Sequence, residues 1–120
     1  MKHMTISTRQ FGDVVILDLQ GKMTADSGAT TRFRDKANSL LLEGHRALIV
    51  NLGEVRYMDS GGLGELVRAY ASVKREGGAV KLLNLTSRIQ DLLTITKLVT
   101  VFESGESEAE LVESFEAKAA

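Results

Sequence analysis

Cysteine, proline and tryptophan are absent from the 120-residue sequence, and histidine occurs only twice. Without cysteine, a disulfide scaffold, a thiolate zinc site, an iron–sulfur cluster and a cysteine nucleophile are excluded. The two histidines, His3 and His45, leave little material for a catalytic site that needs an imidazole base. We therefore expect no metal site and no cofactor.

An excess of charge and long apolar segments are also missing. The 15 basic and 16 acidic residues give a formal net charge of −1, which does not favour binding to nucleic acid or to an anionic membrane. No apolar segment precedes a signal-peptide cleavage site, and no apolar run is long enough to span a membrane. These absences predict a cytoplasmic protein.

The length of the chain suits a single domain. Its hydrophobic content of 43% is typical of a globular protein and too high for a disordered one. We expect the domain to cover residues 4–117. Residues 1–3 are interpreted as an expression-vector remnant or a disordered N-terminus, with Met4 as the natural start.

Apolar periodicity predicts an alternation of strands and helices. Short apolar or alternating runs predict strands at residues 5–10, 14–20, 46–52, 80–85 and 99–102. Helical spacing predicts helices over residues 25–43 and 60–76, and capping boxes that start at Ser87 and Ser107 predict two more. The order β-β-α-β-α-β-α-β-α indicates an α/β domain with a mixed, mostly parallel sheet of about five strands and about four helices.

The residue pattern of one segment, 55–64, is not explained by the packing of a strand or a helix. It lies between a predicted buried strand and a helix, and it contains three glycines in four positions: Gly61, Gly62 and Gly64. Each glycine in a helix interior costs roughly 1 kcal/mol relative to alanine, but glycine keeps a surface flat and lets another backbone approach. Either Asp59 or Ser60 can cap the helix. In both cases Ser60 lies near the helix N-terminus, at the carboxyl edge of the sheet.

Three interpretations of this segment stay open: ordinary helix capping, a phosphate or phosphoserine site, and an unmodified interface patch. The second is possible because free backbone N–H groups at a helix N-terminus favour an anion. Catalysis by Ser60 is disfavoured, because the segment matches neither a G-x-S-x-G nor a Walker A motif, and His45 follows a helix-ending glycine. We therefore expect a protein that is not an enzyme.

The stretch Met58-Asp59-Ser60-Gly61-Gly62-Leu63-Gly64 resembles that of the anti-sigma factor antagonists, the small STAS-domain proteins of bacteria. The resemblance extends over nearly the whole chain. It includes the strand Leu48-Ile49-Val50-Asn51-Leu52, the Gly77-Gly78 pair and Leu82-Leu83-Asn84-Leu85. It implies a STAS-type fold.

The resemblance also implies a function. An unmodified antagonist binds an anti-sigma factor, which is also a serine kinase of the GHKL type, and thereby frees the sigma factor. The kinase phosphorylates the antagonist and expels it, and a PP2C-type phosphatase restores binding. By position, Ser60 would be the phosphorylated residue. The partner-binding surface would comprise Thr24, Asp59, Gly61, Gly62, Leu63 and Gly64. A monomer or a weak dimer is expected.

Two departures from the family pattern affect this interpretation. Family members commonly carry Gly-Glu-Leu-Asp where this chain has Gly21-Lys22-Met23-Thr24, so Thr24 removes a carboxylate near the phosphorylation site. Many members have two serines where this chain has Ser60-Gly61, which leaves one candidate hydroxyl. A constitutive STAS binding or scaffold module, associated with a transporter or a signalling complex, is the alternative. A small enzyme acting on a phosphorylated metabolite is the third hypothesis.

Overall fold

The computed structural model describes residues 3–119, and of residues 117–119 the backbone alone. The strands are β1 (Thr5–Phe11), β2 (Val14–Met23), β3 (Ala47–Met58), β4 (Ala79–Leu83) and β5 (Ser104–Gly105). The helices are α1 (Ala29–Leu42), α2 (Ser60–Arg75), α3 (Ser87–Ile95) and α4 (Glu108–Ala119), and a single 3₁₀ turn covers Ala25–Ser27. Residues 1 and 2, part of the predicted remnant, lie outside the described residues.

The strands lie side by side in sequence order, from β1 to β5. Strands β1 and β2 form an antiparallel hairpin, whereas β2 to β5 pair in parallel. The predicted α/β domain, with a mixed, mostly parallel sheet of five strands and with four helices, is confirmed. Among the helices of the described residues, none combines the length and the apolar character needed to cross a membrane.

The two faces of the sheet are covered unequally. Helices α1, α2 and α3 pack on one face, where the larger core includes Leu17 and Val50 of the central strands. Helix α4 covers part of the other face through Leu111, which packs with Ile16 and Ile49. The candidate site at the start of α2 therefore lies on the side of the larger core.

Strand β3 extends six residues beyond its predicted end at residue 52. Between Asp18 and Gln20, and again between Gly21 and Lys22, strand β3 uses one residue more than its partner β2. Each extra residue is a bulge, which shifts the side-chain alternation. The buried side chains of this stretch recur every third position: Leu52, Val55 and Met58. The absence of two-residue alternation is the physical reason why the sequence predicted an earlier end for this strand.

The prediction of a strand at residues 99–102 is wrong. Residues 99–101 form turns, and Val99 and Val101 are exposed at 37% and 38%. Only Phe102 is buried, with its ring centroid 5.2 Å from that of Tyr70. The apolar run is divided between surface and core, and the chain pairs with β4 two residues later, at Ser104–Gly105.

Two helix starts also differ from the prediction. Gly28 adopts a left-handed conformation (φ 79°) that interrupts the predicted helix over residues 25–43, so α1 begins at Ala29. Helix α3 is capped by Thr86, whose hydroxyl accepts a hydrogen bond from the Ile89 backbone N–H at 3.2 Å, and not by Ser87. Each of these helix starts depends on the backbone dihedral angles of a single residue. The local pattern of apolar residues does not determine those angles.

A polar network attaches α4 to the sheet. The Arg9 guanidinium donates to both carboxylate oxygens of Asp18, at 2.6 and 2.9 Å, and to both of Glu108, at 2.7 and 3.1 Å. Asn51 adds a hydrogen bond to Asp18 at 2.8 Å. These bonds, chiefly the one from Arg9, hold the pKa of Asp18 below its usual value despite partial burial.

A second ion pair joins α1 to α2. Nε of Arg34 on α1 lies 3.1 Å from both carboxylate oxygens of the buried Glu65 on α2. This pairing lowers the pKa of Glu65. Because the folded state lowers both carboxyl pKa values, both groups make the fold less stable as the pH falls.

We expect the substitution Asp18→Asn to reduce the acid sensitivity of folding. Because the folded-state pKa of Asp18 is lowered, its carboxylate stabilises the fold above the unfolded pKa of about 3.9, and this contribution is lost as pH falls through the folded value. Between about pH 5 and about pH 2, the free energy of unfolding should therefore decrease less in the variant. Urea unfolding followed by circular dichroism measures this, and equal pH dependence in both proteins would contradict it.

Candidate functional site

The candidate site lies where β3 ends and α2 begins. Met58 is the last residue of β3, Asp59 is extended (φ −95°, ψ −176°), and Ser60 is the exposed first residue of α2. The Ser60 hydroxyl makes no hydrogen bond with any described residue. Ser60 therefore occupies the expected place at the carboxyl edge of the sheet.

Asp59, rather than Ser60, caps α2. Its Oδ1 accepts a hydrogen bond from the Gly62 backbone N–H at 2.9 Å. Its Oδ2 accepts one from the Ala25 backbone N–H at 3.1 Å, in the segment that follows β2. One carboxylate thus closes the helix N-terminus and attaches it to the neighbouring chain segment.

The glycines differ in what surrounds them. A Cβ atom on Gly62 would lie 2.3 Å from the Met23 carbonyl oxygen, and one on Gly61 would lie 2.9 Å from the Ala25 Cβ. A Cβ on Gly64 would meet nothing within 4 Å. The prediction that glycine lets another backbone approach is confirmed at Gly62, which the end of β2 touches directly.

The residues expected to bind a partner lie together around the start of α2, but to different depths. Three of them are buried: Thr24, Gly62 and Leu63. Asp59 and Gly61 are partly exposed, and Gly64 is exposed like Ser60. Few side-chain atoms therefore cover the accessible surface beside the Ser60 hydroxyl.

Thr24 lies behind the site and is almost fully buried. The Thr24 side chain is 8% exposed, and its hydroxyl donates a hydrogen bond to Ser27 Oγ at 3.1 Å. This contact lies within the turn that supports Ala25, the partner of Asp59. Thr24 thus stabilises the segment behind the site and adds no charge to it.

The electrostatics of the site favour an anion. The backbone N–H groups of Ser60 and Gly61 have no hydrogen-bond partner in the described part of the chain. They lie at the positive end of the α2 dipole. His45 precedes β3, so the full length of that strand separates its imidazole from Ser60. Within residues 3–119, no cluster of three or more metal-binding side chains occurs.

The STAS domain family matches residues 5–111 of the chain. The chain belongs to the STAS-domain family. The anti-sigma-B factor antagonist of Bacillus subtilis is 32% identical over 107 residues, which is 88% of this chain and 95% of that relative. The family match and the antagonist role named for this relative confirm the expectation of a binding protein rather than an enzyme.

Solved structures share this STAS fold. A candidate anti-sigma factor antagonist of Thermotoga maritima gives a TM-score of 0.86 at 21% identity, covering 92% of this chain and 94% of its own. The Bacillus cell-fate determinant SpoIIAA in its phosphorylated form gives 0.72 at 19% identity, covering 92% and 98%. The strand order and helix count expected from the sequence are those of the STAS fold.

Three residues beside the site were missed by sequence reasoning. Tyr57 of β3 lies against Arg88 and near Ile95 of α3, and these side chains border a shallow groove. Ile95 lies outside the buried stripe of α3, which Ile89 and Leu93 form. An apolar residue outside that stripe was the signal in the sequence that could have indicated this surface. The grouping itself depends on how α3 packs against β3.

Alanine at Gly62 and at Gly64 should change stability in opposite directions. Gly62→Ala forces a Cβ against the Met23 carbonyl, so we expect a loss of about 1–3 kcal/mol. Gly64→Ala meets open space and gains helix propensity, so we expect a gain of up to about 1 kcal/mol. Urea unfolding of both variants measures this difference. Equal stabilities would show that the close approach at Gly62 is unimportant.

Removal of the cap should be costly at Asp59 and not at Ser60. Asp59→Ala loses the hydrogen bonds to Gly62 and Ala25, and we expect a cost of about 1–2 kcal/mol in unfolding free energy. Ser60→Ala removes no hydrogen bond to the described part of the chain, and we expect a change within about 0.5 kcal/mol. Thermal and urea unfolding test both, with Asp59→Asn as the conservative control. A larger cost at Ser60 would contradict the assignment of the cap.

Proposed function

We propose that this protein is an anti-sigma factor antagonist, which binds an anti-sigma factor and thereby releases a sigma factor. The supporting observation is an exposed serine at the first position of α2, in a chain that aligns with 95% of a Bacillus subtilis anti-sigma-B factor antagonist. The protein acts in the cytoplasm with its partner, as a monomer or a weak dimer.

Phosphorylation of Ser60 is the proposed switch. The partner is a serine kinase of the GHKL type, which transfers the γ-phosphoryl group of ATP to the Ser60 oxygen. The bond between the γ-phosphorus and the bridging oxygen breaks, ADP leaves, and the hydroxyl proton is released. A PP2C-type phosphatase hydrolyses the phosphoserine and restores the hydroxyl. The Ser60 hydroxyl is exposed and has no hydrogen bond to any residue that the structure describes, which supports this assignment.

The fold of the domain tolerates the added phosphate. Phosphoserine carries about −1.5 to −2 charges, and negative charge at a helix N-terminus is favourable. The free N–H groups of Ser60 and Gly61 can stabilise it further. Phosphorylation therefore acts on the complex and not on the stability of the domain.

The sparse surface around Ser60 makes the switch effective. Gly61 and Gly64 offer no side chains there, so the partner approaches the Ser60 hydroxyl closely in the unmodified complex. A phosphate introduced into that contact adds both volume and charge, next to the Asp59 carboxylate. Release of the partner follows from steric and electrostatic repulsion.

Thr24 changes the chemistry that the partner meets. Its hydroxyl is committed to Ser27, and both Asp59 oxygens accept hydrogen bonds within the chain. No further carboxylate at position 24 is therefore available to a cation of the partner. We infer that recognition at this flank depends on shape rather than on an ion pair.

One phosphoryl group should be added to the wild-type protein, at Ser60. The test incubates the protein with ATP and each purified GHKL-type anti-sigma factor of the source organism, and intact mass is measured. Ser60→Ala should accept none. Ser87→Ala is the matched control, because Ser87 is likewise the exposed first residue of a helix, and it should still accept one. Undiminished phosphorylation of Ser60→Ala would refute the assignment.

A negative charge at Ser60 should weaken the complex. We expect Ser60→Asp to reduce affinity for the anti-sigma factor at least about tenfold, which corresponds to about 1.4 kcal/mol. Isothermal titration calorimetry with the wild type, Ser60→Ala and Ser60→Asp measures this. If Ser60→Asp binds as tightly as the wild type, the protein is a constitutive binding module instead.

A further inference from the structure

A shallow groove lies between the end of β3 and helix α3, beside the candidate site.

The groove encloses about 250 Å³. Its lining residues are Tyr57, Met58, Arg88, Ile89, Asp91, Leu92 and Ile95. We call it the β3–α3 groove.

The β3–α3 groove has a buried apolar floor and an exposed apolar rim. Met58 and Ile89 form the floor, at 5% and 1% exposure. Tyr57 and Ile95 form the rim, at 43% and 77% exposure. Large apolar side chains that stay this exposed beside a preformed depression are typical of a protein contact surface.

Arg88 adds an unneutralised cation to the rim. Its guanidinium carbon lies 5.7 Å from the centroid of the Tyr57 ring. No carboxylate of the described residues forms an ion pair with it, although Asp91 lies on the same helix. An arginine held over an aromatic ring presents a planar set of donors that matches a carboxylate.

We propose that the β3–α3 groove is a second part of the contact surface for the anti-sigma factor. The partner inserts an apolar side chain between Tyr57 and Ile95, and it places a carboxylate against Arg88. This inference rests on the proposed function, because it extends the same interface away from Ser60.

The short distance to Ser60 supports this occupant. Tyr57 precedes Ser60 by three residues, so their Cα atoms lie within about 11 Å of each other. A standard interface buries about 800 Å² on each partner, which as a disc has a radius of about 16 Å. A partner seated over Ser60 and extending towards α3 therefore covers the exposed Tyr57 ring.

The other flank of Ser60 offers less to a partner. There the segment after β2 presents a buried Thr24, the small side chain of Ala25 and the charged Asp26. Interface energy concentrates in tryptophan, tyrosine and arginine, and the α3 flank carries Tyr57 and Arg88. The groove is thus the better anchor for a protein that also contacts Ser60.

The test compares Ile95→Asp with Leu42→Asp. Both residues end a helix and both are exposed, at 77% and 89%, but Leu42 lies on α1 and outside the groove. Affinity for each purified anti-sigma factor of the source organism is measured by calorimetry. We expect Ile95→Asp and Arg88→Glu to weaken binding at least about tenfold, and Leu42→Asp to change it less than about twofold. Thermal unfolding verifies that every variant is folded.

The outcomes separate this inference from the proposed function. If Ser60→Asp weakens binding while Ile95→Asp and Arg88→Glu bind like the wild type, the groove is not part of the interface, and the proposed function stands. If no anti-sigma factor binds the wild type, the proposed function fails and this inference fails with it. If sedimentation shows a wild-type dimer that Ile95→Asp dissociates, the groove joins two copies of this chain, which also overturns the inference.

Discussion

The site depends on the two hydrogen bonds that the Asp59 carboxylate accepts. One comes from Gly62 in the first turn of α2, and the other comes from Ala25 after β2. Strands β2 and β3 are parallel neighbours, so the segments that leave them emerge side by side. Asp59 joins these segments, and the missing side chain of Gly62 allows the contact with Met23. The position of Ser60 follows from this arrangement.

The other face of the sheet is stabilised by separate interactions. Arg9 connects β1 and β2 to the start of α4 through Asp18 and Glu108. Lys81 of β4 is 1% exposed, and its ammonium group lies 2.7 Å from Glu103 and 4.3 Å from the Phe115 ring centroid. The Arg9–Glu108 ion pair and the contact of Lys81 with Phe115 attach α4 to a face that does not carry Ser60. A partner at Ser60 therefore meets a surface whose support is independent of α4.

Local patterns predicted the element order and the helix start at Ser60, because burial periodicity and capping depend on residues close in sequence. They failed for the end of β3, where two bulges convert the spacing of Leu52, Val55 and Met58 from two to three. They also failed for the grouping of Tyr57 with Arg88, which arises from tertiary packing. The sequence could therefore indicate which serine is exposed, but not which surface adjoins it.

The rigidity of the site determines how a phosphate on Ser60 would act. A conformational switch would require the first turn of α2 to move, but the Asp59 hydrogen bonds and the close packing at Gly62 oppose such movement. The charge itself gives little reason to move, because a helix N-terminus stabilises an anion by about 0.3–1 kcal/mol. The unmodified and phosphorylated domains would then share one backbone, and they would differ only in the group presented to the partner. The loss of affinity must arise within the interface, where the phosphate occupies space and charge that the partner's surface does not accommodate.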